Sequence, residues 1–127
     1  MEPTATKVVR IILGLLLVLF GLNKFFHYMP TPAPEGAAAL YLGGLAQSGF
    51  FFPMLGAVEA ATGTMLLAGV FVPLALIILA PVSLNIVLFH AFLAPGSMVG
   101  PGLLIAILNA YLGWANVDAY RGLLKIR

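Results

Sequence analysis

Four apolar stretches, each long enough to cross a lipid bilayer as a helix, dominate this chain of 127 residues. A transmembrane helix needs about 20 consecutive, mostly apolar residues. The stretches extend from about Val8 to Tyr28, Phe50 to Ala68, Pro73 to Leu93 and Gly102 to Val117. We therefore predict an all-α integral membrane protein, a four-helix bundle that forms a single transmembrane domain over residues 1–127.

The composition excludes several classes of protein. Hydrophobic residues make up 62% of the chain and charged residues 8%, whereas soluble domains contain about 25% charged residues. So few polar side chains cannot cover a water-facing surface, which excludes a soluble globular domain, a disordered tail and a nucleic-acid-binding protein. The lipid bilayer is the partner that this composition predicts. Cysteine is absent, so disulfides and thiolate metal sites are excluded as well.

The segment between the first two stretches predicts a short additional helix. Pro30, Pro32 and Pro34 end the first helix, because proline cannot continue a helical hydrogen-bond ladder. Glu35 suits a helix N-terminus, where the helix dipole favours an anion. We predict a surface helix over about residues 36–48 that lies on the outer face of the membrane or dips into it. A plain loop is the alternative.

The basic residues predict the orientation in the membrane. Lys7 and Arg10 flank the first stretch, and three further basic residues follow the last one: Arg121, Lys125 and Arg127. Cytoplasmic segments carry an excess of lysine and arginine. Four spans place both termini on one side, so we predict that both are cytoplasmic. The surface helix and the loop at Ala94–Pro101 then face outward.

Each predicted span carries one polar residue in the outer half of the bundle. The four are Lys24, Glu59, Asn85 and Asn109, at depths of roughly 6–13 Å by the helical rise. Glycines share the helical faces of Lys24 and Glu59, and small residues line helix contacts in membranes. We therefore predict an inward-facing cluster with a Lys24–Glu59 ion pair. One interpretation is structural, since polar groups hold helices in register. The other is a ligand pocket or a proton path.

Three more polar residues lie near the outer surface and are candidates for the rim of such a pocket. They are Asn23, His27 and His90. Paired histidines can ligate haem iron in helical bundles, but nothing else in the sequence favours haem, so we interpret both as interfacial residues. Because Glu59 is the only acidic residue at depth, we predict no metal site.

Several motifs together resemble one known family. They are Phe20-Gly21-Leu22-Asn23-Lys24-Phe25 in the first span, Gly56-Ala57-Val58-Glu59 in the second, and Pro81 with the segment from Asn85 to His90 in the third. The chain resembles the DoxX family of small bacterial four-helix membrane proteins over nearly its whole length. The founding members of that family look like subunits of a thiosulfate–quinone oxidoreductase, other members are linked to redox and sulfur-stress complexes at the membrane, and most have no assigned activity.

The resemblance implies a membrane subunit or accessory of a quinone-linked redox complex in the bacterial inner membrane. It implies a quinone or another lipid-like ligand that is not covalently bound, and a redox partner protein or a homo-oligomer. Two alternatives stay open: a non-catalytic scaffold or assembly factor, and a small transporter or proton relay that uses Glu59. The sequence contains no nucleophile–base pair, phosphate-binding loop or nucleotide motif, so it assigns no reaction to the chain.

Overall fold

The computed structural model describes residues 2–28, 33–95 and 100–124 as a bundle of helices. The helices are α1 (Thr4–Phe26), α2 (Gly36–Gln47), α3 (Phe51–Ala68), α4 (Val72–Phe92) and α5 (Pro101–Ala115), followed by a 3-10 helix at Val117–Leu124. The all-α fold is confirmed. Several predicted features lie outside the described residues: Pro30 and Pro32, part of the loop at Ala94–Pro101, and the charges of Lys125 and Arg127.

The length and the apolar composition of the helices are those of a membrane protein. Within the described residues, α1, α3 and α4 are long and apolar enough to cross a bilayer. With 15 residues, α5 reaches only ~22 Å; it passes the same test together with the 3-10 helix, but the two are bent by 76° at the break. Large apolar side chains point outward along the helices, as at Leu15, Ile78 and Ile107. Such surfaces suit contact with lipid rather than water.

Close backbone contact joins α1 to α3, the most extensive helix pair in the bundle. Four glycines form this contact between α1 and α3, and they meet in two pairs. A Cβ atom at Gly21 would lie 2.8 Å from the carbonyl oxygen of Gly56, and one at Gly63 would lie 2.8 Å from that of Gly14. Real side chains do not fit at such distances, so glycine is required at these positions. The approach matches the small-residue interfaces of membrane helices.

A leucine-rich core fills the space between this pair and the pair formed by α4 and α5. Its fully buried members are Leu13, Leu17, Leu66, Leu79 and Leu112. In contrast, α2 buries only Ala38 and lies across one end of the bundle. We refer to this end as the α2 end. The surface helix predicted over residues 36–48 thus corresponds to α2, which ends one residue earlier, at Gln47.

Polar contacts join the helices at the opposite end of the bundle. Arg10 is buried, donates to the carbonyl oxygen of Leu66 and forms an ion pair with Glu2, Nε to Oε2, at 3.1 Å. The carbonyl oxygen of Leu66 lies in the last turn of α3 and also accepts from the backbone N–H of Gly69 at 3.3 Å, so Arg10 adds a second donor at the end of this helix. Arg10 is therefore part of the packed bundle, although the positive-inside rule counts it as a flanking surface charge.

We predict that Gly21→Ala destabilises the protein, because the added methyl group would meet the backbone of α3. The expected loss is about 1–3 kcal/mol, as for other overpacked cores. Gly113→Ala is the matched control, since a Cβ there meets no atom within 4 Å among the described residues. Thermal melting in detergent should show a lower Tm for the first variant and an unchanged or higher Tm for the second. Equal Tm values would contradict the close α1–α3 contact.

Candidate functional site

An ion pair between Lys24 and Glu59 lies in the interior near the α2 end. The ammonium group of Lys24 contacts Oε1 of Glu59 directly. Among the described residues, no other group donates a hydrogen bond to this oxygen. The side chain of Glu59 is 4% exposed and that of Lys24 is 21% exposed. Each charge therefore depends on the other for stabilisation in apolar surroundings.

The contact between α1 and α3 explains why these two side chains meet. Lys24 follows Gly21 by three residues and Glu59 follows Gly56 by three, so each charge shares a helical face with a glycine. A Cβ at Gly21 would be 3.1 Å from Cβ of Glu59, and a Cβ at Gly56 would be 3.0 Å from Cβ of Lys24. The glycines thus bring the two helices close enough for the pair to form.

The ion pair forms one wall of a cavity of about 210 Å³ between four helices. We call this cavity the α2-end pocket. Its polar lining consists of Lys24 from α1, Tyr41 from α2, Glu59 from α3, and Asn85 and His90 from α4. The remaining lining is apolar: Leu42, Leu45, Phe51, Phe52, Leu55, Val82, Ile86 and Phe89. A few polar groups in an apolar wall are typical of small-molecule sites.

Asn85 is held in the α2-end pocket by a residue that the sequence analysis did not single out for function. The hydroxyl group of Tyr41 donates to Oδ1 of Asn85 over 3.1 Å, and the ring of Tyr41 packs against Phe89 at a centroid distance of 5.7 Å. Because Oδ1 accepts this bond, it is the amide NH₂ group of Asn85 that has hydrogen-bond donors to offer.

Asn109 does not line the α2-end pocket, although we expected it in the same cluster. Its side chain is buried between α4 and α5, where Oδ1 accepts from Ser83 Oγ at 3.0 Å and Nδ2 donates to the carbonyl oxygen of Leu76 at 3.3 Å. Leu76 lies deeper along α4 than Asn85. Asn109 therefore joins α4 to α5, which is the structural use of an intramembrane amide.

The three expected rim residues have different positions. His90 lines the α2-end pocket and packs beside the start of α5, where a Cβ at Gly102 would lie 3.1 Å from its Nε2 atom. His27 is exposed and ends α1 in a left-handed conformation, with φ at 51°. Asn23 is half-buried, and its carbonyl oxygen accepts from the backbone N–H of His27. In the described part of the chain, no group of three acidic, histidine or cysteine residues could hold a metal ion.

The arrangement brings hydrogen-bond donors and a carboxylate to one apolar cavity. Lys24, Tyr41 and Asn85 carry N–H or O–H groups, and the carboxylate of Glu59 accepts. A smaller cavity, of about 140 Å³, reaches the same ion pair from the α5 side and lies between Phe20, Ile86 and Ile105. The pair therefore borders a cavity on two sides.

We predict that Lys24 and Glu59 are energetically coupled. Glu59→Gln and Lys24→Met should each destabilise the protein by roughly 3–5 kcal/mol, because each leaves a buried polar group without its partner. The double variant should lose less than the sum of the two single losses. Thermal or denaturant unfolding in detergent measures all four proteins of the cycle. Strictly additive losses would show that the two side chains do not interact.

Comparison with known proteins assigns the chain to a family. The model of the DoxX family matches residues 5–92. The match extends from the second residue of α1 to the end of α4 and includes Lys24, Glu59, Asn85 and His90. No curated protein and no solved structure matches the chain. Since the match covers well over half of the sequence, the chain belongs to the DoxX family of membrane proteins.

Proposed function

We propose that this protein is the membrane subunit of a quinone-linked redox complex, and that it binds the quinone or a similar lipid-like molecule in the α2-end pocket. The observation that supports the proposal is the convergence of Lys24, Glu59, Asn85 and Tyr41 on one cavity with apolar walls. A quinone combines two carbonyl acceptors with a flat apolar ring, so it needs donors inside an apolar site. The pocket has this combination.

The residues of the pocket have distinct roles in this proposal. Lys24 and the NH₂ group of Asn85 donate to carbonyl oxygens of the ligand, while Tyr41 fixes the orientation of the amide. Glu59 neutralises Lys24 and holds a carboxylate where a proton is exchanged when a quinone is reduced. Phe51, Phe52 and Phe89 supply flat apolar walls. A bound quinone supplies the redox chemistry itself.

The proposed complex requires a redox partner protein. This chain contains no cysteine, and the described residues offer no group that could hold a metal ion. Electrons would therefore come from a partner subunit that docks on the membrane protein. The mass of the purified assembly distinguishes a membrane subunit of one chain from a homo-oligomer.

A non-catalytic scaffold is the second candidate, and the hydrogen bonds of Asn109 favour it. Asn109 and Ser83 satisfy each other inside the bundle, and Lys24 and Glu59 are also paired. Fully paired polar groups specify one packing of the helices. If the pairs did only this, the protein would serve to anchor a complex, and ligand binding would be absent.

We predict that Asn85→Leu weakens the binding of a quinone analogue and leaves the melting temperature nearly unchanged, because Asn85 is exposed in the bundle and faces the pocket. Asn109→Leu is the matched control. It should lower the stability by about 1–3 kcal/mol, because Ser83 loses its partner, but leave the affinity unchanged. Titration of the purified protein with a quinone analogue, together with thermal melting, measures both effects.

Two outcomes of this experiment contradict the proposal. The wild-type protein shows no saturable binding, or Asn85→Leu and Asn109→Leu bind the analogue equally well and as tightly as wild type. Either result favours the scaffold. A lower affinity for Asn85→Leu alone supports the pocket.

We further propose that both termini face the cytoplasm. The basic residues Lys7 and Arg121 lie at the end of the bundle opposite α2, and the described residues carry no lysine or arginine between Lys24 and Arg121. Positive charges near the ends of membrane helices remain on the cytoplasmic side. The α2-end pocket then opens toward the outer leaflet.

Because the chain lacks cysteine, single-cysteine variants test this orientation without background. We expect Gln47→Cys, at the exposed end of α2, to react with an impermeant thiol reagent in intact cells. Val70→Cys, in the exposed turn between α3 and α4, should react only after the membrane is disrupted. The reverse pattern would show that the protein is inserted the other way.

A further inference from the structure

A second cavity, of about 300 Å³, adjoins the α2-end pocket on the surface between α3 and α4. The two cavities share part of their lining, including Tyr41, Leu55 and Asn85. Three residues line the second cavity and not the α2-end pocket: Met54 and Val58 from α3, and Pro81 from α4. We call this part the α3–α4 groove. It continues the pocket, because the same tyrosine and asparagine border both.

The α3–α4 groove leads from the pocket toward the middle of α3 and α4. Val58 lies seven residues after the start of α3 at Phe51, or ~10 Å along the helix. On α4, Pro81 lies one turn before Asn85, on the side away from the α2 end. Polar groups therefore border only the pocket end of the groove, and its deeper part is apolar.

Pro81 contributes to the shape of the α3–α4 groove. It lies inside α4 and is exposed on the surface of the bundle. Proline has no N–H group, so the carbonyl oxygen of Ile77 cannot accept the usual helical hydrogen bond from it. The side chain is also compact compared with the leucines and isoleucines that cover the rest of α4. Contact between α3 and α4 is correspondingly less extensive than that between α1 and α3.

From this continuity we infer that the ligand of the α2-end pocket carries a long hydrocarbon tail, and that the tail lies in the α3–α4 groove. This inference rests on the proposed function and specifies the class of ligand: an amphipathic, membrane-dissolved molecule rather than a water-soluble one. The polar head meets Asn85 and Lys24, and the tail passes Val58 and Pro81. The ligand enters sideways from the bilayer between α3 and α4.

The position of the groove favours the ligand's own tail over an unrelated lipid chain. An unrelated chain needs only an apolar surface, and the bundle offers such surfaces around its whole circumference. The α3–α4 groove differs because it ends at Tyr41 and Asn85, which are hydrogen-bonded to each other and line the pocket. A head group bound there leaves its tail only a short distance from the groove.

The test compares two probes with the same benzoquinone ring, one with a long alkyl chain and one without it. Val58→Trp is chosen to fill the groove, because Val58 lines the groove and is not a lining residue of the α2-end pocket. Ile78→Trp, on the exposed surface of α4 outside both cavities, is the matched control. Binding to each variant is measured in lipid nanodiscs and compared with wild type for each probe, so that partition of the probes into lipid cancels.

We expect Val58→Trp to weaken binding of the tailed probe about tenfold, because the indole occupies the space of the tail. Binding of the ring without a tail should stay at the wild-type level, and Ile78→Trp should change neither. Met54→Trp, at the exposed margin of the groove, gives a second measurement if Val58→Trp does not fold.

The other outcomes separate the inference from the proposed function. Equal effects of Val58→Trp on both probes, or no effect on either, would overturn the tail groove and leave the pocket in place. The second of these results is also what an unrelated lipid chain in the groove predicts. Absence of saturable binding by wild type for both probes would overturn the proposed function and the inference together.

Discussion

The close contact between α1 and α3 is the constraint on which the rest of the structure depends. Gly14 and Gly21 meet Gly63 and Gly56 with backbone atoms in direct contact. In a membrane no hydrophobic force drives helices together, so association relies on close packing and on hydrogen bonds. The glycines allow that packing. They also place Lys24 beside Glu59, because each charged residue follows a glycine by three positions. The ion pair is thus a consequence of the helix contact.

The polar residues of the bundle divide into two groups with different surroundings. Asn109 and Ser83 are buried between α4 and α5 and satisfy each other. Lys24 and Glu59 are paired too, and they border the α2-end pocket. Asn109 also borders a cavity, of about 220 Å³, but the acceptor and the donor of its amide are both bonded within the bundle. In the α2-end pocket, Tyr41 and Asn85 line the same cavity as the ion pair. This convergence of polar groups, rather than residue type, distinguishes a candidate site from a structural contact.

Much of the fold was predictable because the membrane restricts the choice of structure. Apolar length alone located the helices that begin near Thr4, Phe51, Val72 and Pro101, and the family motifs were readable along the chain. The Lys24–Glu59 contact was predictable from helical phase, since the glycines mark the contact face. The position of Asn109 was not predictable from depth, because depth does not tell which neighbouring helix a side chain meets. Tyr41 was missed because α2 has little amphipathic pattern of its own.

The sequence by itself determined that the chain is helical and embedded in lipid, since a backbone in hydrocarbon must satisfy its hydrogen bonds internally. It also determined which charges must find partners, because an unpaired charge at that depth is too costly. Only the tertiary structure decided what lies around those pairs. The position of α2 beside the pocket, the hydrogen bond between Tyr41 and Asn85 and the cavity beside Pro81 depend on how separate helices pack. Such contacts join residues far apart in the chain, so no local pattern of residues encodes them.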